Sequence, residues 1–394
     1  MHTPAAMTAS SLIAAAEAMA PLVAAHRAEL ARTRDLPTPL AQALGEAGLT
    51  QLWLPRTLGG PELAPEDYIR VIEAVGRLDG AVGWCAAVAA SGARLTGMLA
   101  PEVAAGMFGL DRGSLCGNGN PVGVASPVPG GWRVSGRWSY GSFIRHSAWA
   151  LGVCTIREAD GGLRRAADSA PTLIAAVAPT AEVRIHDTWD AGGLRATGSH
   201  DFEFLDLFVP TERSFAMPGY DATPRVEGPL YALPFITAFS IGITPVALGV
   251  ARASIEALVT LAAHKIPAGG TAPLREQASV QDDVARAEAE LRAARAFLFD
   301  AVGELWEAAQ CGDAGGIRRR ALVRLACWNA VRASKQAVAL MYEAAGGTAL
   351  DERLPFAACL RDVNAAGQHL AFAQRNVEAV GRVLLGMPPG TARF

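Results

Sequence analysis

Ser142 and His146 put a hydroxyl and an imidazole four residues apart in the short stretch Gly141-Ser142-Phe143-Ile144-Arg145-His146. A hydroxyl donates or accepts a hydrogen bond and an imidazole titrates near working pH, so the pair has the residue types of hydrogen-bonding and acid–base chemistry. A strand delivers them. From Trp132 to Tyr140 the side chains alternate, with Trp132, Val134, Gly136, Trp138 and Tyr140 on one face and Arg133, Ser135, Arg137 and Ser139 on the other, the period of a half-solvated strand. A second apolar run, Trp149 to Ile156, resumes strand character. On these residues alone, the simpler reading is a strand connection that carries a serine and a surface histidine.

The chain has 394 residues, 51% of them apolar and 19% charged. That is a soluble globular composition, and the length calls for two or three packed units. The net charge of −3 excludes a general polyanion-binding surface, so no nucleic-acid partner is expected. The six cysteines are scattered, with no C-x-x-C and no histidine at metal-ligand spacing. They read as reduced thiols in a cytoplasmic protein without a metal site. Ser11 to Ala25 is apolar but carries Glu17 and repeats at helical spacing, which makes it a helix and not a signal peptide. No run reaches the roughly 18 apolar residues of a membrane span.

The elements change character twice along the chain. Residues 1–109 read as helices: one from Ser10-Ser11 to about Arg34, a second opened by Pro37 and Pro39, a third over Glu66 to Arg77, and a fourth that carries Gly83-Trp84 on to Met98. Residues 110–215 read as an antiparallel β-domain, with further strands at Leu173–Val177, Val183–Ile185 and Asp201–Phe208. Residues 216–394 return to helices at about 237–264, 276–311, 316–345 and 363–386, a four-helix bundle. The chain lacks G-x-x-x-x-G-K-[ST], G-x-S-x-G and H-E-x-x-H. Gly117-Asn118-Gly119-Asn120-Pro121-Val122-Gly123 is a loop of small and polar residues followed by strands, so it is no Rossmann fingerprint, yet it could cradle a flat cofactor.

Helices, then a β-domain, then a helical bundle is the order of the acyl-CoA dehydrogenase fold, and local strings resemble that family. Gly130 to Trp138 is similar to its G-G-x-x-x-x-G strand. Asp187 to Pro210 is similar to its G-L-R-x-T-x-S…F-V-P segment, and Arg361-Asp362 to the R-D motif that opens the last helix. The true dehydrogenases place a catalytic glutamate nine residues after the R-D arginine; here that position is Leu370, with His369 before it. Tyr140-Gly141-Ser142-Phe143-Ile144-Arg145-His146-Ser147-Ala148-Trp149, Arg361 to His369, and Ala81-Val82-Gly83-Trp84 instead resemble the flavin-dependent monooxygenase branch. Two departures stand out: Phe143 replaces a glycine, and Gly92 replaces a histidine that several phenol hydroxylases of the branch carry near Trp84.

The resemblance implies the oxygenase component of a two-component system. Reduced flavin (FMN or FAD) comes from a separate NAD(P)H-flavin reductase and reacts with O2, through a C4a-hydroperoxide, to oxygenate a small organic substrate. Aromatic hydroxylation, N-oxygenation and S-oxygenation all occur within the branch; oxidation of an acyl-CoA thioester is the alternative reaction. By the same resemblance Ser142 hydrogen-bonds flavin N5, and His369 and His146 are catalytic candidates. Cys116, Gly117, Asn118, Tyr140 and Gly141 contact the flavin, Gly346 and Gly347 meet it from a neighbouring subunit of a homotetramer, and Trp84 and Gly92 face the substrate. No counterpart of the dehydrogenase phosphate-binding arginine occurs between Lys265 and Gly270, which favours FMN or loosely held reduced flavin.

Overall fold

Pro21 breaks the opening helix, because proline fits only the first turn of a helix, and a second break falls at His26: α1 (Ala9–Ala18), α2 (Ala20–Ala25) and α3 (Arg27–Arg32). α4 (Thr38–Glu46), α5 (Pro65–Leu78), α6 (Gly80–Arg94) and α7 (Pro101–Met107) complete the N-terminal helices. These come from a computed structural model that describes residues 7–108, 113–165, 171–217, 222–391 and 393–394. The boundary expected at 109/110 lies outside the described residues.

Among the described residues seven strands follow: β1 (Leu115–Val128), β2 (Gly131–Gly141), β3 (Trp149–Ile156), β4 (Leu173–Pro179), β5 (Arg184–His186), β6 (His200–Pro210) and β7 (Ser214–Ala216). They form one sheet in the order β5-β6-β2-β1-β3-β4-β7. All pairs are antiparallel except β1 with β3, which is parallel. The small, polar stretch from Gly117 to Gly123 is therefore part of a strand and not a loop. Its ladder with β3 slips between Asn118 and Gly123, a bulge of the kind that Gly and Pro favour. Trp138 explains glycines of its own strand and of the neighbouring ones. Its indole stacks on Phe202 and meets Phe204 edge-on, and a Cβ at Gly123, Gly136 or Gly152 would run into it.

After α8 (Pro229–Ala232) come three long helices, α9 (Phe235–Ala262), α10 (Ala278–Gln310) and α11 (Ile317–Ala345). α9 is long and apolar enough to cross a membrane by composition alone, but most of it is buried between α5, α6 and α11. The continuous helix expected over 363–386 is two: α12 (Phe356–Ala366) and α13 (Gln374–Leu384). Arg361-Asp362 lies inside α12 and does not open a helix. Side chains break the ladder between the two. His369 Nδ1 accepts the Ala371 N–H, and Asn376 Nδ2 donates to the carbonyls of Leu370 and Ala371, so polar side chains take backbone groups that a helix would have paired.

Candidate active site

One face of α6 supplies the first wall. Trp84, Val88, Ser91, Gly92 and Leu95 recur at helical spacing and line a cavity of about 500 Å3. β1 supplies Leu115 to Asn120, the end of β2 supplies Tyr140 and Ser142, α9 supplies Phe235 and Phe239, and the α12–α13 turn supplies Gln368 to Ala371. Nothing larger than hydrogen fits at Gly92, because a Cβ would overlap the Leu115 carbonyl where α6 crosses β1.

Ser142 ends a chain of hydroxyls. Its Oγ lies 2.7 Å from Ser199 Oγ, which lies 2.6 Å from Thr197 Oγ1, and Trp84 Nε1 donates to Ser142 at 3.2 Å. Phe143, the residue in place of the family glycine, sits at φ +65°. A side chain in that left-handed conformation costs about 1–2 kcal/mol. Burial of the ring and an N–H bond to the Thr197 carbonyl at 2.8 Å offset it.

His369 faces Ser142 across Trp84. Its ring centroid lies 5.9 Å from Trp84, 5.5 Å from Phe239 and 6.2 Å from Phe372. Burial among these rings lowers its pKa to about 4, so the imidazole is neutral at working pH. Apolar surroundings disfavour the charged form. With Nδ1 occupied as the acceptor from Ala371 N–H, the proton of the neutral ring is on Nε2.

Asp79 and Asp362 hold these walls in register. Asp79 caps α6 by accepting from Ala81 N and Val82 N, and Asp362 Oδ1 accepts from Leu194 N at 2.6 Å. Burial pushes Asp362 up to about 7, helped by the charge of Asp79, and burial also raises Asp79. The Leu194–Ser199 segment and the Trp84 helix thus depend on neighbouring carboxyls.

Of the residues singled out in the sequence, Ser142, His369, Trp84, Gly92, Cys116, Gly117, Asn118 and Tyr140 line one cavity. Gly141 is the residue before Ser142 and packs on Phe202. Burial pushes the Cys116 thiol up to about 12, so it is no nucleophile. His146 is not among the cavity residues; its ring packs on Phe143, with Nε2 buried and unpartnered. Gly346 and Gly347 follow the end of α11 and are not among the residues lining this chain's own cavity. Thr197, Ser199, Trp189, Phe235, Phe239 and Arg393 were not singled out. Thr197 and Ser199 belong to the G-L-R-x-T-x-S string and Trp189 to the same Asp187–Pro210 segment, which was the available signal; nothing local marks Phe235, Phe239 and Arg393.

The cavity suits a flavin ring. The Ser142, Ser199 and Thr197 hydroxyls, the rings of Trp84, Tyr140, Phe235 and Phe239, and aliphatic and small residues line it, the mix that a flat, hydrogen-bonding ring takes. Cys116 to Asn118, Tyr140 and Ser142 are the residues that would hold it.

Family models agree with this geometry. The acyl-CoA dehydrogenase N-terminal domain matches residues 11–100 and the acyl-CoA dehydrogenase C-terminal domain matches 241–374. The chain is 30% identical over 366 residues to indole-3-acetate monooxygenase of Pseudomonas putida, covering 93% of this chain and 91% of the relative. It is 27% identical over 378 residues to the oxygenase component of an FADH2-dependent resorcinol hydroxylase of Rhizobium sp., covering 90% and 89%. XiaF from Streptomyces sp., solved with FADH2 and glycerol, shares the fold at a TM-score of 0.89 and 24% identity, covering 97% of both chains. Fold, cavity and relatives together place the chain in the acyl-CoA dehydrogenase superfamily, as a member of its flavin-dependent monooxygenase branch.

Proposed function

We propose that this chain is the oxygenase component of a two-component flavin-dependent monooxygenase whose substrate is a small planar aromatic molecule. The observation that carries the reading is Trp84. It hydrogen-bonds Ser142 on one side and packs against the His369 ring on the other, so the flavin and substrate residues share one aromatic partition. Reduced flavin, delivered by a separate reductase, supplies the electrons that activate O2. The Ser142 hydroxyl, held by Ser199 and Trp84, hydrogen-bonds the flavin ring edge. Trp84, Phe235 and Phe239 stack the substrate and exclude water, and His369 donates its Nε2–H to it. Relatives named for indole-3-acetate and resorcinol support an aromatic substrate.

Thioester oxidation is disfavoured by a specific observation: no Asp or Glu lines the cavity among the described residues, so no carboxylate is present to take an α-proton. The test supplies anaerobically reduced flavin, O2 and a panel of planar aromatics, measuring oxygenated product against hydrogen peroxide. Product from at least one ring compound is expected. Peroxide alone throughout, with bleaching of bound flavin by an acyl-CoA under anaerobic conditions, would overturn the reading.

The protein acts as a cytoplasmic homotetramer in this proposal. Leu350 and Leu385 are exposed at 71% and 80%, and Gly346-Gly347 is available to a neighbouring copy's site. Light scattering that gives a monomer would refute it.

A further inference from the structure

We propose that Arg393 is the cation that takes the phosphate of the flavin. The inference rests on the flavin ring lying beside Ser142 and adds the group that recognises the other end of the cofactor. Among the described residues lining the cavity, the charged ones are Arg94 and Arg393. Arg94 is buried at the end of α6, its guanidinium donating to the carbonyls of Leu230, Tyr231 and Leu233. Arg393 is at the β1 wall, where Nη1 donates to Asn120 Oδ1 at 3.0 Å.

Both ends of that contact are built. Asn120 N donates to Asn118 Oδ1 at 2.7 Å, and Asn118 Nδ2 donates to the Ser139 carbonyl at 2.7 Å, which fixes the Asn118 amide and the Asn120 backbone on the strand. The Arg393 carbonyl accepts from Arg324 Nη1 at 2.6 Å. The next residue, Phe394, is buried among Ala321, Ala379, Val380 and Val383, with the Arg324 guanidinium 4.8 Å over its ring and Arg320 donating to its carbonyl. The backbone of Arg393 is thus anchored to α11 and α13 while its side chain crosses to the sheet.

Position along β1 gives the ligand chemistry. Cys116 to Asn118 line the same cavity as Ser142, and Asn120 lies two residues further on, roughly 7 Å at strand rise. Between Asn118 and Gly123 the ladder with β3 is interrupted. A ribityl chain leads away from the ring, so a phosphate belongs beyond the ring-contacting residues, where a guanidinium fork matches its oxygens. The first phosphate is common to FMN and FAD, and riboflavin lacks it.

The experiment is anaerobic equilibrium dialysis of reduced FMN and reduced riboflavin against wild type, Arg393→Met and Arg393→Lys. Wild type is expected to prefer FMN. Arg393→Met should weaken FMN by about tenfold or more and leave riboflavin unchanged, and Arg393→Lys should recover part of the loss. Equal weakening of both flavins would assign Arg393 to wall packing and overturn the proposal, as would unchanged FMN binding or equal wild-type affinity for the two. Thermal melts check that each variant folds. If Arg393→Met does not fold, the lysine variant and the salt dependence of the wild-type preference decide, since a preference that salt leaves untouched is no ion pair. Wild type that binds neither flavin would overturn the flavin reading itself and this one with it.

Discussion

His369 Nδ1 accepts the backbone N–H of Ala371 at 3.2 Å, and that bond decides which nitrogen of the ring is protonated. The neutral imidazole carries its proton on Nε2. Nitrogen-15 spectra of histidine-labelled protein should show one resonance set of the Nε2–H tautomer, unchanged from pH 8 down to about 5 because the folded pKa is about 4. A resonance titrating near 6.5 and assigned to His369 would sink this. The linkage sign follows: a histidine whose folded pKa is depressed contributes stability at high pH that is lost as pH falls from about 6.5 to 4. His369→Ala should lower oxygenated product per flavin oxidised by about tenfold, the loss of about 1.4 kcal/mol in the oxygen-transfer barrier.

Ser142→Ala should separate binding from coupling. One neutral hydrogen bond contributes about 0.5–1.5 kcal/mol net, so reduced-flavin affinity changes less than about tenfold. Peroxide release should rise at the expense of product, because Ser199 and Trp84 lose the hydroxyl they hold in place. Peroxide and product yields measured together check it; wild-type coupling in this variant would remove Ser142 from the flavin site.

Gly92→Ala should destabilise the fold by about 1–3 kcal/mol through overpacking, since its Cβ would overlap the Leu115 carbonyl. Urea melts are the measurement. A variant as stable as wild type would mean that α6 and β1 can separate, and that a side chain such as the family histidine can be accommodated here.

Asp362→Asn should remove a pH dependence. A carboxyl whose folded pKa is raised to about 7 takes up a proton on folding, so its contribution is fully present below about 4 and is lost as pH rises through 7. The amide retains an oxygen for the Leu194 N–H and carries no charge against Asp79. The variant should therefore melt higher than wild type at pH 8, with the gap closing toward pH 5. Melting curves that stay parallel across that range would contradict the assignment.

The sequence by itself determined the order of helices, sheet and bundle, because periods of 3.6 and 2 are local and survive without knowledge of partners. It also marked Ser142, Trp84, Gly92 and His369, whose strings are continuous. Only the tertiary structure decided what those groups are chemically. The tautomer and lowered pKa of His369 come from Ala371, Trp84, Phe239 and Phe372, and a ring's protonation depends on its enclosure. The same holds for the break between α12 and α13, where Asn376 reaches back to Leu370 and Ala371. His146 shows the converse: four residues from Ser142 in the chain, it turns onto Phe143 and away from the cavity. Arg393, 273 positions from Asn120, reaches it through the anchoring of Phe394, and no local pattern encodes a contact between chain segments so far apart.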